Sequence, residues 1–313
     1  MTHLGLGTWF LDQSAWPAIE TRRAKRVIER AWDRGIRHFD TAESYGTGRA
    51  EQILGQALRH QLRAHRDDIH IATKSVVRPP GSLRRHLERS LRRLNIDRVD
   101  TFYIHWPREG LDLAAAVQEL ARSREHGLVR WIGLCNVTPT QLHEAQQAAA
   151  VDSVQFGYNV IWRAPEAQGL IALPHHRVSY STLAQGLLAR DFPYSPQWDE
   201  TDHRPRTPLF SLPLWRSVHA YQQQFVEMCR RSGFSPAAVA VIWAAGRVDR
   251  TLVGMRSLSH LDDLVDGIEN AHGRHTELQD LLEAVTSSSD QLQRDLPHLP
   301  NMFGYVPTPC RSC

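Results

Sequence analysis

Short β-branched or aromatic runs alternate with longer amphipathic stretches along nearly the whole chain, and this alternation constrains the fold more than any other feature. His38-Phe39-Asp40, Ile69 to Thr73, Val99 to Ile104, Val129 to Leu134, Ser153 to Phe156, Val178 to Tyr180 and Thr251 to Val253 read as buried strands. Leu4 to Trp9 supplies a first strand and brings the count to eight. Helical stretches fall between them: Arg22 to Arg34, Ala50 to Arg63, Ser82 to Leu94, Leu113 to His126 and Pro139 to Ala149, then Pro213 to Arg231 and Pro236 to Arg247. Leu83, Leu87, Leu91 and Leu94 show the helical spacing of an apolar face. Strands that alternate with helices run parallel and need crossovers. Eight such units favour a closed (β/α)8 TIM barrel over an open doubly wound sheet. The expected domain is a single barrel over 1–313. It carries an aperiodic loop near 190–213, rich in Pro, Asp and aromatics, and a polar, Pro-punctuated tail over 287–313 that packs over the barrel or frays.

The bulk numbers exclude several classes. The chain has 313 residues, 42% hydrophobic and 23% charged, so it can bury a core without disulfides or structural metals. Lys+Arg (37) nearly balance Asp+Glu (34), and the arginines of helical stretches read as solvated faces, so no nucleic-acid partner is expected. No apolar run approaches the ~18 residues needed to span a bilayer, and Met1 to Gly5 lacks the blocks of a signal peptide. The expectation is a cytoplasmic protein with no membrane partner. Cys310 and Cys313 form a CxxC pair near the last residue; zinc would need two more ligands, so the pair reads as a flexible tail with two thiols, and no metal site is expected.

In barrels of this kind the chemistry sits where strands end and βα loops begin. The second strand runs out into Asp40 and Tyr45, the third into Lys74, the fourth into His105. A free tyrosine holds its proton to about pH 10. A buried lysine beside it would favour the phenolate and lower that value; an aspartate would hold the ammonium in place, and a histidine could orient a carbonyl. Singly, each has a blander reading as helix cap, packing, snorkelling or structural residue. Together they are general-acid equipment for an alcohol–carbonyl couple.

Gly5-Leu6-Gly7-Thr8-Trp9, Phe39 to Gly46, Ala72-Thr73-Lys74 and Ile104-His105-Trp106 resemble, in order, the signatures of the aldo-keto reductase superfamily. The resemblance runs from Gly5 to about Asn270. It implies a (β/α)8 fold without metal, NADPH as hydride donor, Tyr45 as general acid, Lys74 and Asp40 as its tuning pair and His105 as the substrate orienter. Gly7, Thr8, Trp9 and Asp40 fall in its first cofactor-binding segments. Ile132 to Asn136 resembles the carboxamide-binding stretch, with Cys135 in place of a serine and Asn136 retained. Gln155 matches a second carboxamide contact. Tyr180 matches the residue that stacks on the nicotinamide, and Ser181, Leu183, Gln185, Gly186 and Leu188 fall in the segment that follows along the pyrophosphate. Gly254, Arg256 and Ser257 resemble the adenine-end motif, where Arg256 suits a ribose 2′-phosphate. Asp263-Leu264 stands where the family often has Glu-Asn, and few residues precede Gly5 where many relatives have a hairpin over the barrel floor. Trp9, Trp106 and Trp162 are candidates for the substrate-pocket wall, with core packing the competing reading.

The implied partner is a small-molecule carbonyl of unspecified identity; the oligomeric state is open. Two alternatives share the motifs: a redox-sensing binding subunit similar to potassium-channel β subunits, and a dedicated sugar or natural-product ketoreductase.

Overall fold

The computed structural model describes residues 3–76, 81–107, 110–212, 214–297 and 299. Eight strands close into a parallel barrel: β1 (Leu4–Gly7), β2 (His38–Asp40), β3 (His70–Ser75), β4 (Val99–Ile104), β5 (Val129–Cys135), β6 (Ser153–Gly157), β7 (His176–Tyr180) and β8 (Arg250–Val253). Closure is the pairing of β1 with both β2 and β8, Leu4 lying opposite Thr251. The helices are α1 (Thr21–Asp33), α2 (Arg49–Ala57), α3 (Arg59–Ala64), α4 (Leu83–Leu94), α5 (Leu113–Glu125), α6 (Pro139–Gln146), α7 (Ala164–Ala167), α8 (Leu214–Arg231), α9 (Pro236–Ala245), α10 (Leu258–His272) and α11 (His275–Asp295). Local signals set their ends. Thr138 makes a capping box with Gln141 ahead of Pro139 in α6, Ser257 caps α10, and Asn95 closes α4 in the left-handed conformation.

Several expectations need adjustment. The single helix expected over 50–63 breaks at Leu58, a completely buried residue whose backbone leaves the helical region at φ −94° and ψ 15°. The first strand ends at Gly7, and Trp9 begins a 3₁₀ turn. The chain from Ser287 does not fray at once: α11 continues to Asp295 because Leu278, Leu281, Val285, Ser289 and Leu292 form a narrow buried stripe. The loop at 190–213 holds two short 3₁₀ turns, Arg204–Arg206 and Pro208–Phe210, and an aromatic cluster in which Phe192 meets Trp198, Phe210 and Trp215. Cys310 and Cys313 lie outside the described residues. No described helix is long and apolar enough to cross a membrane.

Alternation along each strand splits the side chains between two environments. Leu6, Phe39, Ile71, Phe102, Ile132, Val154 and Val253 point outward and form the main core with the helices. The inward parity is mostly polar. It runs from His38 and His70 at the strand starts to Asp40, Lys74, Cys135 and Gln155 at the strand ends, with Ala72, Tyr103, Val178 and Leu252 between. Tyr103 fills the middle of the barrel, where its hydroxyl meets Ser153 Oγ at 2.8 Å. Its ring lies on Gly133: a Cβ there would fall 2.2 Å from Tyr103 Cδ1. Gly133→Ala is therefore expected to cost about 1–3 kcal/mol by overpacking. A thermal melt indistinguishable from the parent's would show that the ring is free to move aside.

Candidate active site

The strand ends converge on one cavity of about 1530 Å³, larger than the ~300–1,000 Å³ of sites for drug-sized ligands. Its wall includes Gly7, Trp9, Asp40, Tyr45, His105 and Trp106 at one end. Asn136, Gln155 and Tyr180 follow, and then Ser181, Leu183, Gln185, Gly186, Gly254 and Arg256. Lys74 stands behind the wall, 1% exposed, and reaches Tyr45 from inside the barrel.

Lys74 Nζ donates to Asp40 Oδ1 at 2.5 Å, to the Thr41 carbonyl at 2.8 Å and to the Tyr45 hydroxyl at 3.5 Å. Burial pushes the Asp40 carboxyl up, while Lys74 and Gln155 pull it back. Burial, followed by the charge of Asp40, holds the Tyr45 hydroxyl well above its ordinary value. The expected lowering by Lys74 is not what this arrangement gives. The ammonium is committed to Asp40, and desolvation of the phenolate dominates, so Tyr45 keeps its proton throughout the neutral range. Burial and then Lys74 push His105 well below its ordinary value, so it is a neutral imidazole. Its ring meets Tyr45 edge-on at 5.8 Å, and its Nδ1 lies 3.5 Å from Ser44 Oγ.

A chain of hydrogen bonds crosses the barrel mouth. The Tyr180 hydroxyl donates to Asn136 Oδ1 at 2.6 Å, and Asn136 Nδ2 donates to the His105 carbonyl at 3.0 Å and to Cys135 Sγ at 3.1 Å. Cys135 donates to Gln155 Oε1 at 3.5 Å, and Gln155 Nε2 donates to Asp40 Oδ2 at 2.9 Å. Burial raises the Cys135 thiol far above its ordinary value, so it acts here as a hydrogen-bonding group and not as a thiolate.

The far end of the cavity is cationic. Arg23, Arg190, Arg204 and Arg256 line it, with Glu20, Asp263 and His260, whose imidazole burial holds below its ordinary value. Arg256 Nη2 donates to the Pro17 carbonyl at 2.6 Å, but its buried Nη1 has no partner. Arg204 pairs with Asp202 and donates to the Gln185 carbonyl at 3.2 Å. His203, beside it, ties the 190–213 loop across the mouth through two hydrogen bonds to the Ala15 carbonyl.

Besides Lys74, four expected residues have side chains off this wall. Thr8 is fully buried behind it. Leu188, also fully buried, belongs to the main core. Ser257 is occupied as the cap of α10, accepting from His260 N at 3.2 Å. Trp162 is not on the pocket wall; it is 9% exposed, and its indole N–H donates to the Leu299 carbonyl at 3.1 Å. The sequence reading missed Trp16 on the wall, which meets Trp9 edge-on at 5.3 Å, and the basic residues Arg23, Arg190, Arg204 and His260 that accompany Arg256. The only sequence signal for Arg204 was its place in a long aperiodic loop.

The sequence pattern described as the Aldo/keto reductase family matches residues 3–273. Aldo-keto reductase YhdN of Bacillus subtilis (strain 168) is 27% identical over 279 residues, covering 84% of each chain. Pyridoxine 4-dehydrogenase of Escherichia coli (strain K12) is 28% identical over 299 residues, covering 89% of this chain and 90% of its own. The solved structure of the glycerol dehydrogenase from Gluconobacter oxydans superposes with a TM-score of 0.77 at 25% identity, covering 98% of this chain and 94% of that one.

Proposed function

Because the chain belongs to the aldo/keto reductase family, whose named relatives here are oxidoreductases, we propose that it interconverts a small-molecule carbonyl and its alcohol with NADPH: carbonyl + NADPH + H⁺ ⇌ alcohol + NADP⁺. The observation that carries this reading is the line Asp40–Lys74–Tyr45, which ends in a protonated phenol on the cavity wall beside a neutral His105.

Each residue has a separable task. Tyr45 gives its proton to the carbonyl oxygen as that oxygen becomes an alkoxide. Lys74 stands 3.5 Å behind, where its ammonium stabilises the phenolate left after transfer. Asp40 holds the Lys74 side chain in place, and His105 orients the carbonyl through a ring N–H. The substrate end is walled by Trp9, Trp16 and Trp106.

The residues present fit the dinucleotide. An orphaned buried donor in a native site calls for a missing partner, and Arg256 Nη1 is one, set among further cations. Arg256 would hold the 2′-phosphate; Asn136 and Gln155 would bind the carboxamide after leaving their present partners. Tyr180 would stack on the nicotinamide, and Ser181 to Gly186 would follow the pyrophosphate. When bound, the cofactor supplies the hydride.

An NADPH-oxidation screen across aldehydes, ketones and ketosugars tests the activity; no turnover of any carbonyl would remove the proposal. Arg256→Ala tests the cofactor. It is expected to weaken NADPH binding by roughly 1.5–3 kcal/mol, the range for hydrogen bonds to charged groups, and to leave NADH binding almost unchanged. Equal weakening of both would take Arg256 out of the phosphate site.

A further inference from the structure

We propose that Glu43, Glu51 and Arg93 form a clamp outside the barrel wall that sets the separation between the Tyr45 hydroxyl and the Lys74 ammonium. None of the three is placed to touch the reacting atoms, so they are positioning residues. The proposal rests on the reading of Tyr45 as the acid.

Lys74 points into the barrel, so its neighbours Thr73 and Ser75 point out of it. Each is held by a carboxylate from the segment that carries Tyr45. Thr73 Oγ1 donates to Glu51 Oε1 at 2.7 Å, and Ser75 Oγ donates to Glu43 Oε2 at 2.7 Å. The Glu43 backbone N–H also donates to the Lys74 carbonyl at 2.9 Å. The two carboxylates thus straddle Lys74 from the outer face of β3. Arg93 of α4 joins them, with Nη1 at 3.1 Å from Glu51 Oε2 and 3.7 Å from Glu43 Oε1. Arg89 Nη2 and His86 Nδ1, from the same helix, reach Glu43 at 2.8 and 2.6 Å.

Arg93 also presses on the turn that aims Tyr45. Gly46, Thr47 and Gly48 have consecutive positive φ angles of 57, 56 and 90°. Such a run holds its shape only where its surroundings enforce it. The Arg93 side chain lies close against Gly48, where a Cβ would fall 2.5 Å from its Cζ. Glu51 is completely buried and pairs with Arg93. A buried ion pair adds little stability over an apolar pair of similar size. Two carboxylates spanning one lysine, joined by a planar fork, supply a fixed geometry that an apolar pair would not. At 3.5 Å the Lys74–Tyr45 contact sits at the outer limit of a hydrogen bond, so a small drift of the turn breaks it.

The test uses two clamp variants and two controls, with turnover, NADPH affinity by fluorescence and the thermal midpoint measured for each. Arg93→Lys keeps the charge and loses the fork. The double variant Glu51→Gln/Arg93→Met removes both charges together and leaves no unpaired ion buried. Both are expected to lose roughly 10- to 100-fold in turnover, as sub-ångström to ångström misplacement does, while NADPH affinity stays within about twofold. Arg84→Met, on the same helix but paired with Glu88, is expected to leave turnover unchanged. Folded clamp variants with parental turnover overturn the clamp. So does a loss of turnover that only tracks a loss of NADPH binding or of folded protein, which would mark an ordinary structural ion pair. Tyr45→Phe separates the premises: if it retains full turnover the acid reading has failed, and if it is inactive while the clamp variants are not, only the clamp has.

Discussion

Tyr45→Phe is expected to lower turnover by roughly 100- to 10,000-fold, the range that general acid–base catalysis contributes, with NADPH still bound. Phenylalanine keeps the ring and its edge-on contact with His105, so the loss isolates the hydroxyl. It also leaves Lys74 held by Asp40 and the Thr41 carbonyl, so the buried charge stays paired and the fold is expected to survive. Single-turnover hydride transfer beside NADPH affinity makes the measurement. Near-parental turnover would reduce Tyr45 to packing.

Acid is expected to destabilise the protein between pH 7.5 and 5, and one stacked pair of imidazoles is expected to account for about 4 kcal/mol of the loss, about 2 kcal/mol for each ring. His38 is 1% exposed, stacks on His70 at 4.3 Å, and has no hydrogen-bond partner on either ring nitrogen. His70 stacks in turn on Trp131 at 5.3 Å, and its Nε2 lies 2.9 Å from Thr101 Oγ1. The charged groups facing the pair are cationic or potentially so: Arg66, Lys74, Arg130, His176 and Arg250. Burial, then these neighbours, pushes His38 well below its ordinary value and His70 down to about 3. Both rings therefore stay neutral in the folded state at pH 5, while in the unfolded chain they take up protons below about pH 6.5. The unfolded state binds more protons in that window, so stability falls as pH falls from 6.5 and levels off only below the folded values. Urea midpoints at the two pH values, for the parent and for His38→Phe, measure it. A parental stability that does not change between them would mean the stack is already charged or solvated.

Position along the chain made Asp40, Tyr45, Lys74 and His105 legible, because the end of a barrel strand is set locally by where an apolar run stops. The eight units were legible for the same reason. Thr8, Leu188 and Ser257 were not, since the direction of each side chain depends on strand parity, core packing or an exact helix cap. Trp162 follows a strand as expected, yet it turns toward Leu299 instead of the cavity. The upward push on the Tyr45 hydroxyl was not legible, because proximity to Lys74 could be inferred while the desolvation of the phenol and the commitment of Lys74 to Asp40 could not. Arg93 carried no signal at all; it sits in an arginine-rich helix whose other basic residues are largely solvated, and only the docking of α4 on the 43–51 segment distinguishes it.

The register of β1 against β8 also bears on how the chain is made. Leu4, Gly5 and Leu6 find their partners at Thr251, Leu252 and Val253, so the ring stays open until the last strand has left the ribosome. At about 5–20 residues per second, that interval lasts on the order of 10–50 s. Throughout it β1 presents an unpaired edge and the polar interior around His38 is wet. Slower elongation lengthens that exposure.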